Sequence, residues 1–340
     1  MKKYRTVWRA LLLLLVMSLG GLVLVQVYRR AWVSEDAFIT LRYVSNALGG
    51  HGVVFNPGER VQGYSHPLWL LMLLVGCATG VDHIYVVVVS GMGLTLLLIF
   101  VLFAHGVRLS PNPWRGILAG LGVLAVWACS ESWLSFQTGG LENPLAHLLI
   151  AMFTISVLTK GYSRPFFISF LSALIALTRP DLALLTAPVC LAVVCRFRQW
   201  RQMMSFTAGL LPLITWVILA WLYYGTPVPN PAYAKLGIYP TAKAAVGQGL
   251  RYVDDWFRYD PGGGWGFALF LLVALFEEGR SRVIPPVIGI GLYLLWVICI
   301  GGDFMRGRLF TPILTMTGVL AANRLAVRGR GLRGLLAGSR

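Results

Sequence analysis

The sequence predicts an all-α polytopic membrane protein, and two observations carry that prediction. Of its 340 residues, 57% are hydrophobic and 12% are charged, whereas a soluble domain has about 45–50% apolar and about 25% charged residues. Apolar segments recur from residue 10 to residue 323, and the one long polar interruption is 225–265. A soluble domain of ordinary size has no place in this pattern, so we expect residues 1–340 to form a single transmembrane module.

Eleven apolar segments mark the expected helices. The first follows a basic start and has no small-residue cleavage site before Tyr28, so we interpret it as a membrane anchor instead of a signal peptide. Several others are shorter than the roughly 20 residues that a perpendicular span needs, so flanking residues extend them or some are re-entrant. The segments are 10–26, 67–80, 84–106, 116–130, 145–158, 166–178, 182–195, 205–224, 266–276, 283–300 and 309–323.

The distribution of charge predicts the orientation. The basic residues behind the net charge of +16 cluster in short connections between apolar runs, as cytoplasmic loops require. We therefore expect an inner-membrane protein with its N-terminus and its basic tail 324–340 on the cytoplasmic side. The exoplasmic loops are then 27–66, 131–144, 179–181, 225–265 and 301–308. These loops hold ten of the 13 acidic residues. Because no stacking platform or helix-turn-helix pattern accompanies the charge, we expect no nucleic-acid partner.

The number of crossings depends on residues 67–106. If loop 27–66 is exoplasmic and Arg108 is cytoplasmic, the chain must cross the membrane an odd number of times between them. Two apolar runs, 67–80 and 84–106, lie in that segment. We expect the 14-residue run 67–80 to enter without crossing, which gives ten crossings, with eleven as the alternative. The glycines of 262–264 are expected to form a turn or hinge, since no P-loop lysine follows them.

The five cysteines lie in apolar segments without CxxC spacing, so they are interpreted as small core residues. The chemistry is expected in the first exoplasmic loop, where Glu35 and Asp36 follow the first span. Ser34 or Asp36 could cap the helix predicted over 37–48. A carboxylate here could also act as a general base or bind a divalent metal, and no other cofactor is indicated.

The same polar helix continues with Arg42 and Tyr43. His66 precedes Pro67 at the expected membrane boundary, where a lone histidine is more often a satisfied polar residue than a catalyst.

Five segments carry a resemblance to a known family. They are SEDAFITLRYVSNALGGHGVVFNPGERVQGYSHPLW at 34–69, TGGLENPL at 138–145, LTRPDL at 177–182, YYGTPVPNPAYAKLG at 223–237 and GGDFMRGRLFTP at 301–312. In this order they resemble GT-C fold glycosyltransferases, and most closely the family of the mycobacterial terminal arabinofuranosyltransferase. All five lie on the face that charge alone makes exoplasmic.

The sequence departs from that family at several points. Glu35 replaces the first acid of an Asp pair, Ser65-His66 replaces Thr-Asn, and Pro231 replaces the Thr of a Pro-Asn-Thr segment. His66-Pro67 is similar to the His-Pro-Pro segment of aminoarabinose and protein-mannosyl transferases of the same fold. The family's periplasmic C-terminal domain is not expected in 340 residues.

The resemblance implies a GT-C glycosyltransferase that moves a sugar, such as the pentofuranose arabinofuranose, from a polyprenyl-phosphate donor. The acceptor would be a cell-envelope glycan, lipid or protein, with Asp36 as catalytic base beside Glu35. A donor phosphate at the bilayer surface needs cations at headgroup depth, and the predicted ones are Arg179, Lys235, Arg306 and Arg308. The predicted substrate contacts are Arg42, Tyr43, Asn56, Tyr64, His66, Glu142, Asn230, Tyr233 and Asp303.

Simpler structural roles remain open for these residues. Arg306 and Arg308 could snorkel at a helix start, Arg179 could form a local ion pair with Asp181, and Lys235 could be a solvated lysine. Glu142 and Asp303 could be caps or salt-bridge partners.

Two rival functions also remain open. A transporter or flippase of lipid-linked sugars would need similar cations, but we expect it to carry ionisable residues at mid-membrane. An inactive membrane scaffold is the other alternative.

Overall fold

The structure is a computed structural model that describes residues 2–110, 112–234, 239–276 and 280–327, with side chains from residue 14 onward except at residue 280. Every regular element in these ranges is a helix, as predicted. The helices are α1 Lys2–Arg29, α2 Glu35–Leu48, α3 Pro67–Cys77, α4 His83–Leu109, α5 Pro113–Ala128, α6 Glu131–Ser135, α7 Asn143–Lys160, α8 Pro165–Thr178, α9 Ala183–Val194, α10 Trp200–Tyr224, α11 Asn230–Ala234, α12 Ala242–Tyr259, α13 Pro261–Leu275, α14 Arg280–Cys299 and α15 Thr311–Val327.

The chain is a multi-pass membrane protein. Five helices in the described residues are long and apolar enough to cross a bilayer, namely His83–Leu109, Asn143–Lys160, Trp200–Tyr224, Ser281–Cys299 and Arg308–Val327. Six shorter apolar helices accompany them, at Leu14–Arg29, Pro67–Cys77, Pro113–Ala128, Pro165–Thr178, Pro180–Val194 and Pro261–Leu275.

Local sequence signals explain where several helices begin. Proline occupies the first turn of α3, α5, α7, α8 and α13, where its missing N–H is not needed. At α2 the Ser34 hydroxyl accepts a hydrogen bond from the backbone N–H of Ala37 at 3.3 Å. Ser34 is therefore the N-cap of α2, and the Asp36 carboxylate does not cap this helix.

Helix α3 does not lead the chain to the opposite end of the bundle. The indole N–H of Trp69 in its first turn donates to the Gly140 carbonyl at 3.0 Å, and Gly76 in its last turn packs against Val86, near the start of α4. Gly91, further along α4, packs against the backbone of Gln137, just before Gly140. Both ends of α3 therefore lie at the same end of the bundle. Among the described helices, this leaves α1, α4, α5, α7, α8, α9, α10, α13, α14 and α15 for the ten expected crossings.

The expectation of a turn at glycines 262–264 is wrong. These residues form the first turn of α13, which begins at Pro261 and is capped by the Asp260 carboxylate through the Gly263 N–H at 3.1 Å. A side chain at Gly262 would overlap the Cys129 carbonyl, and one at Gly264 would meet Phe257. The glycines allow close packing of α13, as small residues do between membrane helices.

The expected polar loop 225–265 contains two of the helices. One face of α12 is buried through Ala245, Gly249, Tyr252 and Trp256, at helical spacing.

Tyr162 and Arg196 lie at the end of the bundle opposite α2 and α12. The Tyr162 hydroxyl donates to the Ser281 carbonyl at 2.5 Å, and the Arg196 guanidinium lies 4.1 Å from the Tyr162 ring centroid. Which end faces the cytoplasm stays a prediction from charge.

Candidate active site

Six ionisable side chains from distant parts of the sequence meet at the end of the bundle that carries α2 and α3. Asp36 lies in the first turn of α2, and the other five follow or precede an apolar helix, so that charge stays near a helix end. We call these residues the ionic cluster, and they are Asp36, His66, Glu142, Arg179, Asp303 and Arg308.

Glu142 lies at the centre of the ionic cluster and is 1% exposed. Its Oε1 accepts a hydrogen bond from Arg308 Nη2 at 3.0 Å and lies 3.6 Å from Arg179 Nε. Burial raises the pKa of the carboxyl, but Arg308, His66 and Arg179 together outweigh burial and lower the pKa to about 2. Glu142 is therefore ionised at neutral pH and links both guanidinium groups.

Arg179 is held by carboxylates on two sides. Its Nη2 lies 2.5 Å from Asp181 Oδ2 and its Nε lies 3.2 Å from Asp181 Oδ1. The hydroxyl of Tyr293 lies 3.3 Å from Arg179 Nη2 and donates to Asp181 Oδ2 at 3.2 Å. Burial disfavours the charged form of Arg179 and so lowers its pKa, but Asp181 and Glu142 outweigh this effect together with Tyr293, and the pKa is raised above its ordinary value. The local ion pair with Asp181 exists, and it fixes the guanidinium beside Glu142.

Arg308 lies beside Asp36, which is the most exposed carboxylate of the ionic cluster. Its Nη1 lies 3.6 Å from Asp303 Oδ2 and 3.9 Å from Asp36 Oδ2. The Asp36 side chain is 37% exposed, while those of Glu142 and Asp303 are 1% and 5% exposed. Asp36 is thus the carboxylate that an external molecule reaches most easily.

The segment before Arg308 is positioned by α12. The Tyr252 hydroxyl donates to the Met305 carbonyl at 2.9 Å and accepts from the Leu309 N–H at 3.3 Å. Gly307 has a φ of +73° and lies against Ser132, a combination that only glycine adopts without strain. These contacts fix the backbone on both sides of Arg308.

His66 connects α2 to the centre of the cluster. Its Nε2 lies 2.6 Å from the Thr40 hydroxyl and its Nδ1 lies 3.5 Å from Glu142 Oε2. Burial is the largest influence on the pKa of His66 and lowers it from 6.5, although Glu142 opposes that effect. In the neutral ring, a proton on Nδ1 faces Glu142 and Nε2 accepts from Thr40.

Several buried polar atoms of the cluster have no hydrogen-bond partner within the described ranges. They are the donors Arg179 Nη1 and Arg308 Nε and the carboxylate oxygens Glu142 Oε2 and Asp303 Oδ2. Buried donors are rarely left unpaired in proteins. Two cationic donors are therefore available to a bound anionic group beside Asp36.

Other predicted site residues hold the first loop in place. Arg42 donates to the Phe55 carbonyl at 2.8 Å and to Asn56 Oδ1 at 2.9 Å. The Tyr43 hydroxyl donates to the Val61 carbonyl at 2.7 Å, and the hydroxyl of buried Tyr64 lies 3.0 Å from that of Tyr224. These bonds fasten residues 49–64 to α2 and α10, and substrate contact by these side chains stays a prediction.

The remaining predicted residues lie apart from the ionic cluster or outside the described ranges. Glu35 and Tyr233 are exposed, and the Arg306 guanidinium lies 4.1 Å from the Tyr259 ring centroid. The backbone N–H of Asn230 donates to the Gln62 carbonyl at 3.0 Å. Lys235 lies outside the described residues.

Sequence reasoning missed three residues that position the cluster, namely Thr40, Tyr252 and Tyr293, and also missed the buried carboxylate of Asp260. The Asp260 carboxylate accepts from Ser130 Oγ at 2.8 Å and from the Glu131 N–H at 3.0 Å, and so ties α6 to the start of α13. Its position before Pro261 is a helix-start signal in the sequence. The roles of the other three depend on contacts between distant segments.

No group of three or more His, Cys, Asp and Glu side chains in the described residues is arranged to hold a metal ion. Metal binding by Glu35 and Asp36 stays a prediction.

Comparison with known proteins confirms the predicted resemblance. The chain is 29% identical to a terminal β-(1->2)-arabinofuranosyltransferase of Corynebacterium glutamicum, over 91% of this chain and 50% of that protein. It is also 29% identical to a protein of the same name from Mycobacterium tuberculosis, over 85% of this chain and 52% of that protein. The chain thus spans about half the length of the curated relatives it matches. No family model matches the sequence, and no solved structure matches it.

Proposed function

We propose that this chain is a membrane glycosyltransferase that transfers arabinofuranose from a polyprenyl-phosphate donor to a cell-envelope glycan, lipid or protein. The observation that carries the proposal is the ionic cluster, in which partly exposed Asp36 lies beside the guanidinium of Arg308, whose side chain is 13% exposed. The two relatives named as arabinofuranosyltransferases support the sugar class. The GT-C fold and the donor class rest on the motif resemblance.

Asp36 is the proposed catalytic base. The acceptor hydroxyl oxygen bonds to the anomeric carbon of the donor, and its proton passes to the Asp36 carboxylate. The bond from that carbon to the phosphate oxygen breaks, and its electron pair leaves with the polyprenyl phosphate. A positioned base contributes about 10²–10⁴-fold to such a step.

Arg308 and Arg179 are proposed to stabilise the departing phosphate. Each has a buried donor without a partner among the described residues, at Arg308 Nε and Arg179 Nη1. Charge-assisted bonds from fixed donors in a water-poor site stabilise developing negative charge strongly. Glu142 holds both guanidinium groups, so their orientation is set before the donor binds. Arg306 and Lys235 remain proposed secondary contacts to the phosphate.

The reaction is proposed to occur on the exoplasmic face of the inner membrane, with the N-terminus in the cytoplasm. The positive-inside distribution of charge supports this orientation. The ionic cluster lies at the end of the bundle that this distribution makes exoplasmic.

The direct test uses the purified full chain with polyprenyl-phosphate arabinofuranose and a panel of envelope acceptors. Release of free polyprenyl phosphate is measured for the wild type and for Asp36→Asn. Because Ser34 provides the helix cap, Asp36→Asn leaves α2 intact, and we expect at least 100-fold slower turnover.

The matched control is Asp254→Asn, which removes an exposed carboxylate on α12 that pairs with Arg258 at 2.8 Å. We expect this variant to keep its turnover within about twofold, since exposed pairs contribute little. Wild-type turnover in Asp36→Asn would show that the acid is structural. No release from any donor and acceptor by the wild type would refute the proposed activity.

A further inference from the structure

A small basic cavity lies at the end of the bundle opposite the ionic cluster, where α7 ends and α8 begins. Its volume is about 160 Å³. It is lined by Ser156, Thr159 and Lys160 from α7 and by Arg164, Phe167 and Ile168 from the start of α8. We call it the α7–α8 cavity, and none of the described residues that line it is acidic.

The two cations of this cavity differ from their basic neighbours. Arg282 donates to the Leu158 carbonyl at 2.9 Å, and Arg196 lies over the Tyr162 ring, so both have protein partners. The side chains of Lys160 and Arg164 make no hydrogen bond or ion pair within the described part of the chain. Two unpaired positive charges at one concave site favour an anion.

The other walls of the cavity define what kind of anion fits. The Ser156 and Thr159 hydroxyls donate to carbonyls of their own helix at 2.8 and 2.7 Å, which leaves the two cations as the side-chain donors. Ile168 is buried, while Phe167 and the adjacent Phe166 are exposed on the outer surface of α8. An apolar surface beside a cationic site at the end of a membrane helix suits a headgroup phosphate with acyl chains alongside.

We propose that the α7–α8 cavity binds the phosphate of an anionic phospholipid in the leaflet at that end of the bundle. Lys160 and Arg164 bind the phosphate, and the exposed phenylalanines contact the acyl chains. By the positive-inside rule this leaflet is the cytoplasmic one. The site lies at the far end from the ionic cluster, and its occupancy does not depend on the proposed reaction.

The test measures lipid binding to the full chain in detergent by native mass spectrometry, with phosphatidylglycerol and with phosphatidylcholine. We expect the wild type to prefer phosphatidylglycerol, and the double variant Lys160→Gln/Arg164→Gln to bind it about thirty-fold more weakly. The matched control is Arg198→Gln/Arg201→Gln, which removes the same charge from exposed residues at the same end of the bundle. The control should keep the preference.

Three results would overturn the proposal. They are unchanged phosphatidylglycerol binding by the Lys160/Arg164 variant, an equal loss in the Arg198/Arg201 control, and equal occupancy by inorganic phosphate alone. The last result would assign the site to free phosphate. If the double variant does not fold, photoactivatable phosphatidylglycerol should crosslink the wild type at residues 156–168, and crosslinking only elsewhere would also overturn the proposal.

Discussion

Replacing Glu142 by Gln removes one charge from the centre of the ionic cluster and keeps the size of the side chain. Breaking a buried ion pair by removing one partner costs about 3–5 kcal/mol, because the other charge stays buried without compensation. Here two guanidinium groups lose a counter-charge, but Arg179 keeps Asp181 and Arg308 keeps Asp303. We therefore expect a loss near the lower end, about 3 kcal/mol.

The shifted pKa of Glu142 gives a similar magnitude. The pKa of this carboxyl is about 2 in the folded chain against an ordinary value of 4.5, and each unit corresponds to about 1.4 kcal/mol. Because the folded pKa is the lower one, this stabilisation is fully present above pH 4.5 and is lost as the pH falls through about 2. The Gln variant should lose this part of the pH dependence.

The free energy of unfolding is measured at pH 7 by titration with sodium dodecyl sulfate in mixed micelles, followed by far-ultraviolet circular dichroism. The control is Glu131→Gln, which breaks an exposed pair with Arg30 at 2.9 Å, where the Glu131 side chain is 61% exposed. We expect this control to lose at most about 1 kcal/mol. If Glu142→Gln were no more destabilised than the control, the cluster would not be a buried ionic network.

Four further results are expected. Arg308→Gln should weaken donor use about 10- to 100-fold in polyprenyl phosphate release assays, whereas Arg306→Gln should change it only a few-fold, since Arg306 lies over Tyr259. Equal effects would contradict this ranking. The pKa of His66 in the folded chain is below the ordinary value of 6.5. The contribution of this histidine to the free energy of unfolding is therefore present above pH 6.5 and declines as the pH falls below it. The variant His66→Gln should not show that decline in unfolding titrations. In a background without native cysteines, impermeant maleimide should label cysteines at positions 243 and 198 from opposite sides, and labelling from one side would contradict the topology.

The sequence predicted local features of the site well. The helix predicted over 37–48 is present as α2, which begins two residues earlier, at Glu35, and Ser34 is one of its two predicted caps. The Arg179–Asp181 ion pair was also anticipated, because the two residues lie two positions apart at a helix end. Each of these features depends on residues within one turn of the chain, where spacing alone sets the geometry.

The arrangement of the cluster could not be predicted in the same way. From the sequence, Glu142 could equally be a cap or a salt-bridge partner, yet it contacts Arg308, which is 166 residues away in the sequence. Arg306 and Arg308 were also indistinguishable, since both occupy the same span end. The packing of α12 separates them, because Tyr252 fixes the backbone so that Arg308 faces Glu142 while Arg306 lies over Tyr259.

The position of the buried charges also bears on the choice between an enzyme and a transporter. Within the described ranges, the charged side chains that are fully buried are Glu142, Arg179 and Asp260, and each stands next to the end of an apolar helix. The described interior between the two ends instead holds neutral groups such as Thr95 and Thr154, whose hydroxyls donate to carbonyls of their own helices. A pathway for a lipid-linked phosphate would need cations along its length, because an unpaired charge in the bilayer is costly. The buried charges are therefore confined to one end of the bundle, where the proposed reaction at the membrane surface needs them.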